Sequence, residues 1–219
     1  MLLPESLERV RIVSHGWFVL LDLLGTFAFA LSGATASIER RLDLFGVVVV
    51  AYVTACGGGI VRDLCLGSLP PAGIAQWRYA AVAGLAAALA LGSGALIRRM
   101  RHPVLVFDAV GLGFFAVAGA HKAMAMTANI EVAIVLGTVS AVGGGVLRDV
   151  LLNRVPVILQ REVYALAALL GACVQVLGQA WGWNTALTPW LGSGCCALLR
   201  FVSMRRGWGL PIAGRSRPN

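Results

Sequence analysis

The sequence CGGGIVRD at residues 56–63 returns as VGGGVLRD at residues 142–149, 86 positions further along the chain. The repetition extends well beyond the glycines, because sixteen residues between 22 and 70 are identical to their counterparts between 108 and 156 at the same spacing. Composition alone would give about one match in ten in a chain so rich in alanine, glycine and valine. The two segments are therefore copies of one unit, and the fold must contain that unit twice.

The composition excludes a soluble globular domain. Of the 219 residues, 58% are hydrophobic and 13% are charged, and the charges are gathered into short clusters between long apolar runs. Seven of these runs are close to the length of about 20 residues that crosses about 30 Å of hydrocarbon. The sequence therefore predicts an all-α integral membrane protein with seven transmembrane helices, near residues 17–36, 45–65, 79–97, 104–120, 130–152, 163–181 and 186–203.

The arginine clusters predict how the chain is oriented. Clusters after the first, third, fifth and seventh runs all fall on one side of the membrane, and that side holds thirteen of the eighteen basic residues. Because loops rich in lysine and arginine stay in the cytoplasm, this side is predicted to be cytoplasmic. The N-terminus is then outside and the C-terminus is cytoplasmic.

The odd number of crossings in each copy has a topological consequence. The second copy must enter the membrane from the opposite side, which makes the protein an inverted 3+3 repeat followed by a seventh helix. Inverted repeats are typical of proteins that provide a solute path, because they bring similar half-sites together near the membrane midplane. The predicted division is an extracytoplasmic N-terminal segment at 1–16, a first three-helix repeat at 17–101, a second, inverted repeat at 102–182, and a seventh helix with a basic cytoplasmic tail at 183–219.

Three consecutive glycines in each copy predict either a break in the helix or a close helix contact. Glycine costs about 1 kcal/mol relative to alanine within a helix and leaves the backbone uncovered. Carbonyl groups freed by a break must face protein or a watery cavity. The alternative is that the glycines only permit close helix packing. Recurrence beside the same Arg-Asp pair favours a kink or short unwound stretch lining a pore, at Gly57, Gly58, Gly59, Gly143, Gly144 and Gly145.

Charged residues inside the predicted membrane region are costly and are therefore expected in pairs. Asp22 is predicted to pair with Arg62 near one mouth of the path. By the symmetry of the repeat, Asp108 is predicted to pair with Arg148 near the other mouth.

Further polar residues lie close to the glycines. Asp63 and Asp149 follow the two arginines and join the predicted charged groups. Thr54 and Ser140 are matched hydroxyls three residues before the glycines, able to offer oxygen to a cation or to bond the backbone of their own helix. The second interpretation is slightly favoured. Lys122, at the end of the fourth run, is interpreted as a charge at the membrane interface, with gating as the alternative role.

The sequence lacks the patterns of an enzyme or a metal protein. No Ser/His/Asp constellation, metal-ligand cluster or carboxylate pair in a polar cleft is present, so no catalytic residue, metal or cofactor is predicted. The glycine runs are not followed by Gly-Lys-Ser/Thr, which argues against a nucleotide site. The formal net charge is +8, but the basic residues are not interleaved with exposed aromatic residues. No nucleic-acid partner is therefore predicted.

The duplicated GGGxxRD motif, the inverted repeat and the extra seventh helix resemble the bacterial branch of the TRIC (trimeric intracellular cation) channels. The resemblance covers almost the whole chain. It implies a homotrimer in the bacterial inner membrane, in contact with lipid, with an hourglass-shaped path for potassium or other monovalent cations in each protomer. It maps the constriction to the two glycine triplets. Animal members carry a lysine-containing motif there and bind phosphoinositide, whereas this chain has Arg62 and Arg148, so phosphoinositide regulation is not implied.

The resemblance supports two activities. The same duplicated bacterial unit is also described as a glycine transporter domain, which makes a secondary transporter for glycine or a similar small zwitterion the alternative to a potassium-permeable channel. A channel needs a continuous wet path with weak binding sites, whereas a carrier needs an occluding site and alternating exposure. A membrane scaffold without flux is disfavoured, because buried charges and broken helices are costly to keep without use.

Overall fold

The computed structural model describes residues 5–93, 102–160 and 163–206, with side chains from residue 16 onwards. These residues form α-helices joined by loops, and no β-strand occurs among them. The prediction of an all-α protein is therefore confirmed. The helices are α1 (Glu5–Glu39), α2 (Leu44–Cys65), α3 (Ala72–Ala75), α4 (Trp77–Gly92), α5 (Pro103–Thr127), α6 (Ile130–Leu151), α7 (Val157–Gln160), α8 (Val163–Ala180) and α9 (Thr188–Arg206).

Each of the seven predicted runs corresponds to a helix. Five helices are long and apolar enough to cross a membrane, namely Gly16–Glu39 of α1, together with α2, α5, α6 and α8. The apolar helix α4 has 16 residues, or about 24 Å, and the end of the predicted run 79–97 lies outside the described residues. The 19-residue helix α9 carries three arginines and is not among the five. Composition therefore supports five crossings, and the count of seven stays a prediction.

The start of the first helix differs from the prediction. α1 begins at Glu5, whereas the sequence predicted a separate segment at 1–16. Residues 5–15 contain neither proline nor glycine, the two residues that most disfavour a helix. The apolar run marks where a membrane-crossing part can begin, but the helix continues into the polar residues before it.

The second helices of the two copies both begin with a side-chain cap at the N-terminus. The Asp43 side chain accepts a hydrogen bond of 2.7 Å from the Gly46 backbone N–H at the start of α2. The Asn129 side chain accepts one of 3.0 Å from the Val132 N–H at the start of α6. Such caps satisfy backbone donors that lack a partner within the helix. Both helices have 22 residues, about 33 Å, enough for the hydrocarbon core.

The first helices of the two copies pack antiparallel at the centre of the molecule. A Cβ atom on Gly25 of α1 would contact Phe115 of α5, and one on Gly111 of α5 would contact Phe29 of α1. The two helices therefore run in opposite directions. Phe29 and Phe115 are buried, with ring centroids 5.2 Å apart, and form the middle of the main hydrophobic core.

The outer helices repeat this relationship. α4 packs against α1 and α2, and its counterpart α8 packs against α5 and α6. α9 has no counterpart and packs against α8 and α5. Gly192 of α9 lies close to the backbone of α8, where an added Cβ atom would be 3.0 Å from the Gly171 carbonyl oxygen. The second copy of the unit therefore has a neighbour that the first copy lacks.

Candidate functional site

The two glycine triplets meet where α2 crosses α6. A Cβ atom added to Gly58 would lie 2.1 Å from the Ser140 carbonyl oxygen, and one added to Gly144 would lie 2.1 Å from the Thr54 carbonyl oxygen. The crossing is antiparallel, because the later residue of α2 meets the earlier residue of α6. The two backbones therefore touch, and the C-terminal ends of α2 and α6 point to opposite ends of the molecule.

Both helices remain α-helical through their glycines. The predicted unwound stretch is therefore wrong for this structure, and the alternative interpretation, close helix packing, accounts for Gly58 and Gly144. The prediction of a break weighed only the low helix propensity of glycine within its own helix. Close backbone packing against the partner helix offsets that cost and needs no break.

The other four glycines differ in the room around them. An added Cβ atom would lie 2.4 Å from the Leu147 side chain at Gly57, 2.9 Å from the Gly58 Cα atom at Gly143, and 2.6 Å from the Tyr164 hydroxyl at Gly145. At Gly59 the nearest atom is Arg62 Nη2, at 3.8 Å. Of the six glycines, Gly59 alone has space for a methyl group.

The first half-site consists of Asp22, Arg62, Asp63 and Tyr79, at the C-terminal end of α2. Arg62 Nη2 and Lys122 Nζ each lie 2.8 Å from the same oxygen, Asp63 Oδ1. The Asp22 carboxylate accepts a hydrogen bond from the Tyr79 hydroxyl. The predicted ion pair between Asp22 and Arg62 is not formed. Arg62 contacts Asp63 instead, and Asp22 is bound by Tyr79. Lys122 is therefore also a member of this charged group. The sequence did not predict its contact with Asp63.

The second half-site consists of Asp108, Arg148, Asp149 and Tyr164, at the C-terminal end of α6. Arg148 Nη1 lies 2.6 Å from Asp108 Oδ1, and Arg148 Nη2 lies 2.9 Å from Asp149 Oδ1. The same Nη1 donates a hydrogen bond of 2.6 Å to the Ser32 hydroxyl. The predicted pair of Asp108 with Arg148 is present, and Arg148 is 1% exposed.

Asp63 and Asp149 share a further role. The second carboxylate oxygen of Asp63 accepts a hydrogen bond of 3.0 Å from the Ala72 N–H, which begins α3. Asp149 accepts one of 3.0 Å from the Val157 N–H, which begins α7. Each aspartate therefore binds its neighbouring arginine with one oxygen and fixes the following loop with the other.

The two tyrosines were missed in the sequence. The copies align with a shift of 86 as far as Pro70 and Pro156, but Tyr79 and Tyr164 are 85 residues apart. A one-residue deletion after the prolines hides the match from a search at fixed spacing. Allowing that gap would have identified both residues.

The matched hydroxyls Thr54 and Ser140 lie at the helix crossing and are fully buried. Thr54 donates a hydrogen bond of 2.6 Å to the Val50 carbonyl oxygen of its own helix. The Ser140 hydroxyl accepts a long hydrogen bond of 3.5 Å from Arg62 Nη1. Thr54 therefore has the backbone-bonding arrangement, while Ser140 links the crossing to the first half-site.

Two cavities lie at opposite ends of the α2–α6 crossing. The first, of about 340 Å³, is lined at the first half-site by Asp22, Arg62 and Lys122, together with Arg78 and Tyr79. A small space of about 10 Å³ continues from Asp22 towards Gly59, enough for about one water molecule.

The second cavity, of about 550 Å³, reaches Arg148 and Asp149 at the second half-site and is also lined by Glu39, Arg40 and Arg154. The glycine crossing therefore lies between two charged cavities.

The fold and these half-sites define a class of protein: a multi-pass helical membrane protein built on an antiparallel duplicated unit. A sequence model described as Glycine transporter matches both copies of the unit, at residues 19–93 and 105–180. The chain belongs to this family, whose members with solved structures include the bacterial TRIC channels.

Related sequences carry membrane-protein names. The chain is 38% identical over 198 residues to a UPF0126 membrane protein of Deinococcus radiodurans. The alignment covers 88% of this chain and 90% of the relative. It is 39% identical over 155 residues to the UPF0126 inner membrane protein YadS of Escherichia coli K12, which covers 70% and 75%.

Solved structures agree with the fold. The trimeric intracellular cation channel orthologue from Rhodobacter sphaeroides has a TM-score of 0.83 and 35% identity, over 87% of this chain and 98% of that one. A TRIC cation channel studied for the structural basis of its conductance has a TM-score of 0.81 and 34% identity, over 92% and 99%. The predicted resemblance to the bacterial TRIC family is confirmed.

Proposed function

We propose that this protein is a monovalent cation channel, permeable to potassium, with a path inside each protomer between the two copies of the unit. The observation that carries the proposal is the glycine crossing of α2 and α6 between two charged cavities of about 340 and 550 Å³. The similar solved structures are cation channels and not enzymes, which fits a role in conduction.

The proposed membrane arrangement completes the topology. α4 and α9 cross the bilayer with the five long helices, giving seven crossings in the bacterial inner membrane, with the N-terminus outside and the C-terminus in the cytoplasm. The domain boundaries stay as the sequence placed them, with the inverted copies at 17–101 and 102–182. Three protomers assemble, as the name of the Rhodobacter sphaeroides neighbour states for that protein.

The glycine crossing is the proposed constriction. The carbonyl oxygens of Ser140 and Thr54 lie opposite Gly58 and Gly144, where the two backbones touch. Separation of α2 from α6 would open a passage lined by backbone and hydroxyl oxygens, which replace part of the hydration shell of a cation. The surrounding arginines favour control of opening over tight ion selectivity.

Lys122 is the proposed gate contact of the first half-site. Its ammonium reaches from α5 to Asp63 at the end of α2, and the Lys122 side chain is 30% exposed and lines the first cavity. Replacement of Lys122 by glutamine removes its ion pair with Asp63, while the ion pair between Asp63 and Arg62 remains. Lys122→Gln is expected to raise the open probability several-fold in single-channel recordings. It is expected to lower the unfolding free energy by about 1 to 2 kcal/mol, because Asp63 is buried but keeps Arg62 as its partner.

Lys122→Arg is the matched control, because it keeps the charge and the reach to Asp63. It is expected to gate like the wild type. An unchanged open probability in Lys122→Gln, at normal conductance, would remove Lys122 from gating.

A transporter for glycine or a similar small zwitterion is the second candidate. The family description names glycine, and the first cavity holds both signs of charge, with the Asp22 carboxylate near the Arg62, Arg78 and Lys122 cations. A zwitterion can meet such a site with its ammonium and its carboxylate.

Reconstitution of the purified protein into liposomes distinguishes the two functions. Stepwise currents in potassium chloride, with a reversal potential set by potassium, are the result expected of a channel. Saturable uptake of labelled glycine without current steps would show that the protein is a carrier and not a channel. If neither signal exceeds that of protein-free liposomes, the protein carries no flux.

A further inference from the structure

Each half-site contains a similar stack of an arginine, a tyrosine and a carboxylate, and the tyrosine hydroxyl is hydrogen-bonded to the carboxylate in the first stack only. In the first, the Tyr79 hydroxyl donates to Asp22, and the Arg78 guanidinium lies over the Tyr79 ring at 5.4 Å from its centroid. In the second, the Arg200 guanidinium lies over the Tyr164 ring at 4.9 Å. The carboxylate of the second stack is Asp108.

Tyr164 and Asp108 face each other at Gly145. A Cβ atom added to that glycine would lie 2.6 Å from the Tyr164 hydroxyl and 3.3 Å from Asp108 Oδ1. The three groups of this stack, Asp108, Tyr164 and Arg200, are each at most 1% exposed. Charges so deeply buried act on one another with little screening by water.

The arginine of the second stack does not come from the duplicated unit. With the one-residue gap, the counterpart of Arg78 is Val163, which carries no charge. Arg200 belongs to α9, the helix outside both copies. Two different parts of the chain therefore supply the same cation to the same kind of tyrosine.

Charge balance points to the same conclusion. The second copy of the unit brings two carboxylates, Asp108 and Asp149, and one arginine, Arg148, to its half-site, which leaves one negative charge in excess. The first copy brings two carboxylates and two arginines, Arg62 and Arg78. In the first half-site, Lys122 lies on Asp63. In the second, position 36 of α1, the counterpart of Lys122, is alanine, and Arg200 is the cation stacked on Tyr164 beside Asp108.

We propose that Arg200 is a positioning residue of the second half-site, which gives the seventh helix a role in conduction. It holds the Tyr164 ring against Asp108, and Asp108 in turn holds Arg148 at the second cavity. It also cancels the excess negative charge that the second copy of the unit leaves at this end. This inference rests on the proposed channel function.

The test is the single-channel current–voltage relation of Arg200→Gln in excised membrane patches, where the cytoplasmic face is known. The second cavity faces the cytoplasm in the proposed orientation. Without the positive charge of Arg200, this end of the path is more negative and attracts cations. Potassium current entering from the cytoplasm is therefore expected to exceed current in the other direction by about twofold or more. Arg200→Lys keeps the charge and is expected to restore the wild-type relation. A purely structural role would alter protein yield without causing rectification.

Arg78→Gln is the matched variant in the first half-site and is expected to rectify in the opposite sense. A wild-type current–voltage relation in Arg200→Gln, or rectification that Arg200→Lys fails to correct, would overturn the assignment.

A second measurement does not depend on current. Thermal unfolding midpoints of Arg200→Gln, Asp108→Asn and the double variant are expected to be non-additive, because both act on one charge cluster. Strict additivity would refute the coupling. If wild-type protein carries no current, the channel proposal fails and this cycle alone decides the role of Arg200. If Arg200→Gln does not fold, the cycle is made with Arg200→Met, which also removes the charge over the Tyr164 ring, with the same expectation and the same refuting result.

Discussion

Gly58→Ala is expected to destabilise the folded protein by about 3 kcal/mol or more, the upper end of the range for a side chain forced into a packed core. The added methyl group would lie 2.1 Å from the Ser140 carbonyl oxygen and 3.1 Å from the Gly144 backbone nitrogen. Both obstacles are backbone, so α2 and α6 must move apart as whole helices. Thermal unfolding of the purified protein in detergent measures the effect.

Gly59→Ala is the matched control in the same triplet. Its methyl group meets only the end of the Arg62 side chain, at 3.8 Å. Alanine also has the higher helix propensity, by about 1 kcal/mol. We therefore expect Gly59→Ala to be neutral or slightly stabilising. If Gly58→Ala and Gly59→Ala have equal midpoints, the close crossing does not exist in solution.

The glycine triplets illustrate what a single sequence can predict. Their repetition correctly indicated that α2 and α6 form a matched pair, and the pattern placed both helices within one or two residues of their observed ends. The pattern favoured a break over a contact, and the predicted unwound stretch was wrong for this structure. That outcome depends on the partner helix, since Gly58 meets a carbonyl of α6 while Gly59 meets no backbone.

The charged residues show where repeat symmetry misleads. Asp22 and Arg62 have the same positions in the first copy as Asp108 and Arg148 in the second, yet only the second pair is in contact. The neighbours explain the difference. Ser32 of α1 binds Arg148, whereas its counterpart on α5 is Ala118, which has no hydroxyl to offer Arg62.

Lys122 adds to this asymmetry. It engages Asp63 from the helix that crosses the first half-site, and position 36, its counterpart, is alanine. The identical GGGxxRD motifs therefore predict two similar half-sites, but the residues that distinguish them lie on other helices. The second half-site is a tightly bound ion cluster, and the first contains a lysine whose side chain is partly exposed.

Asp108→Asn is the second change expected to have a large effect, at about 3 kcal/mol of lost stability or more. It removes the carboxylate 2.6 Å from Arg148 Nη1, and loss of one partner from a buried ion pair typically costs about 3 to 5 kcal/mol. Arg148 keeps its contacts with Asp149 and Ser32, which places the expectation at the lower end of that range. Asp22→Asn is the matched control. Its amide oxygen can still accept from Tyr79, so a cost of about 1 kcal/mol is expected.

Double-mutant cycles separate the two half-sites most sharply. Asp108→Asn combined with Arg148→Gln is expected to be less harmful than the sum of the single changes, because each single change already removes the contact between Arg148 and Asp108. Asp22→Asn combined with Arg62→Gln is expected to be additive within about 0.5 kcal/mol, since those residues form no ion pair. Equal coupling in both cycles would mean that the half-sites are equivalent in solution, and that the gate cannot be assigned to the first half-site by its weaker charge contacts.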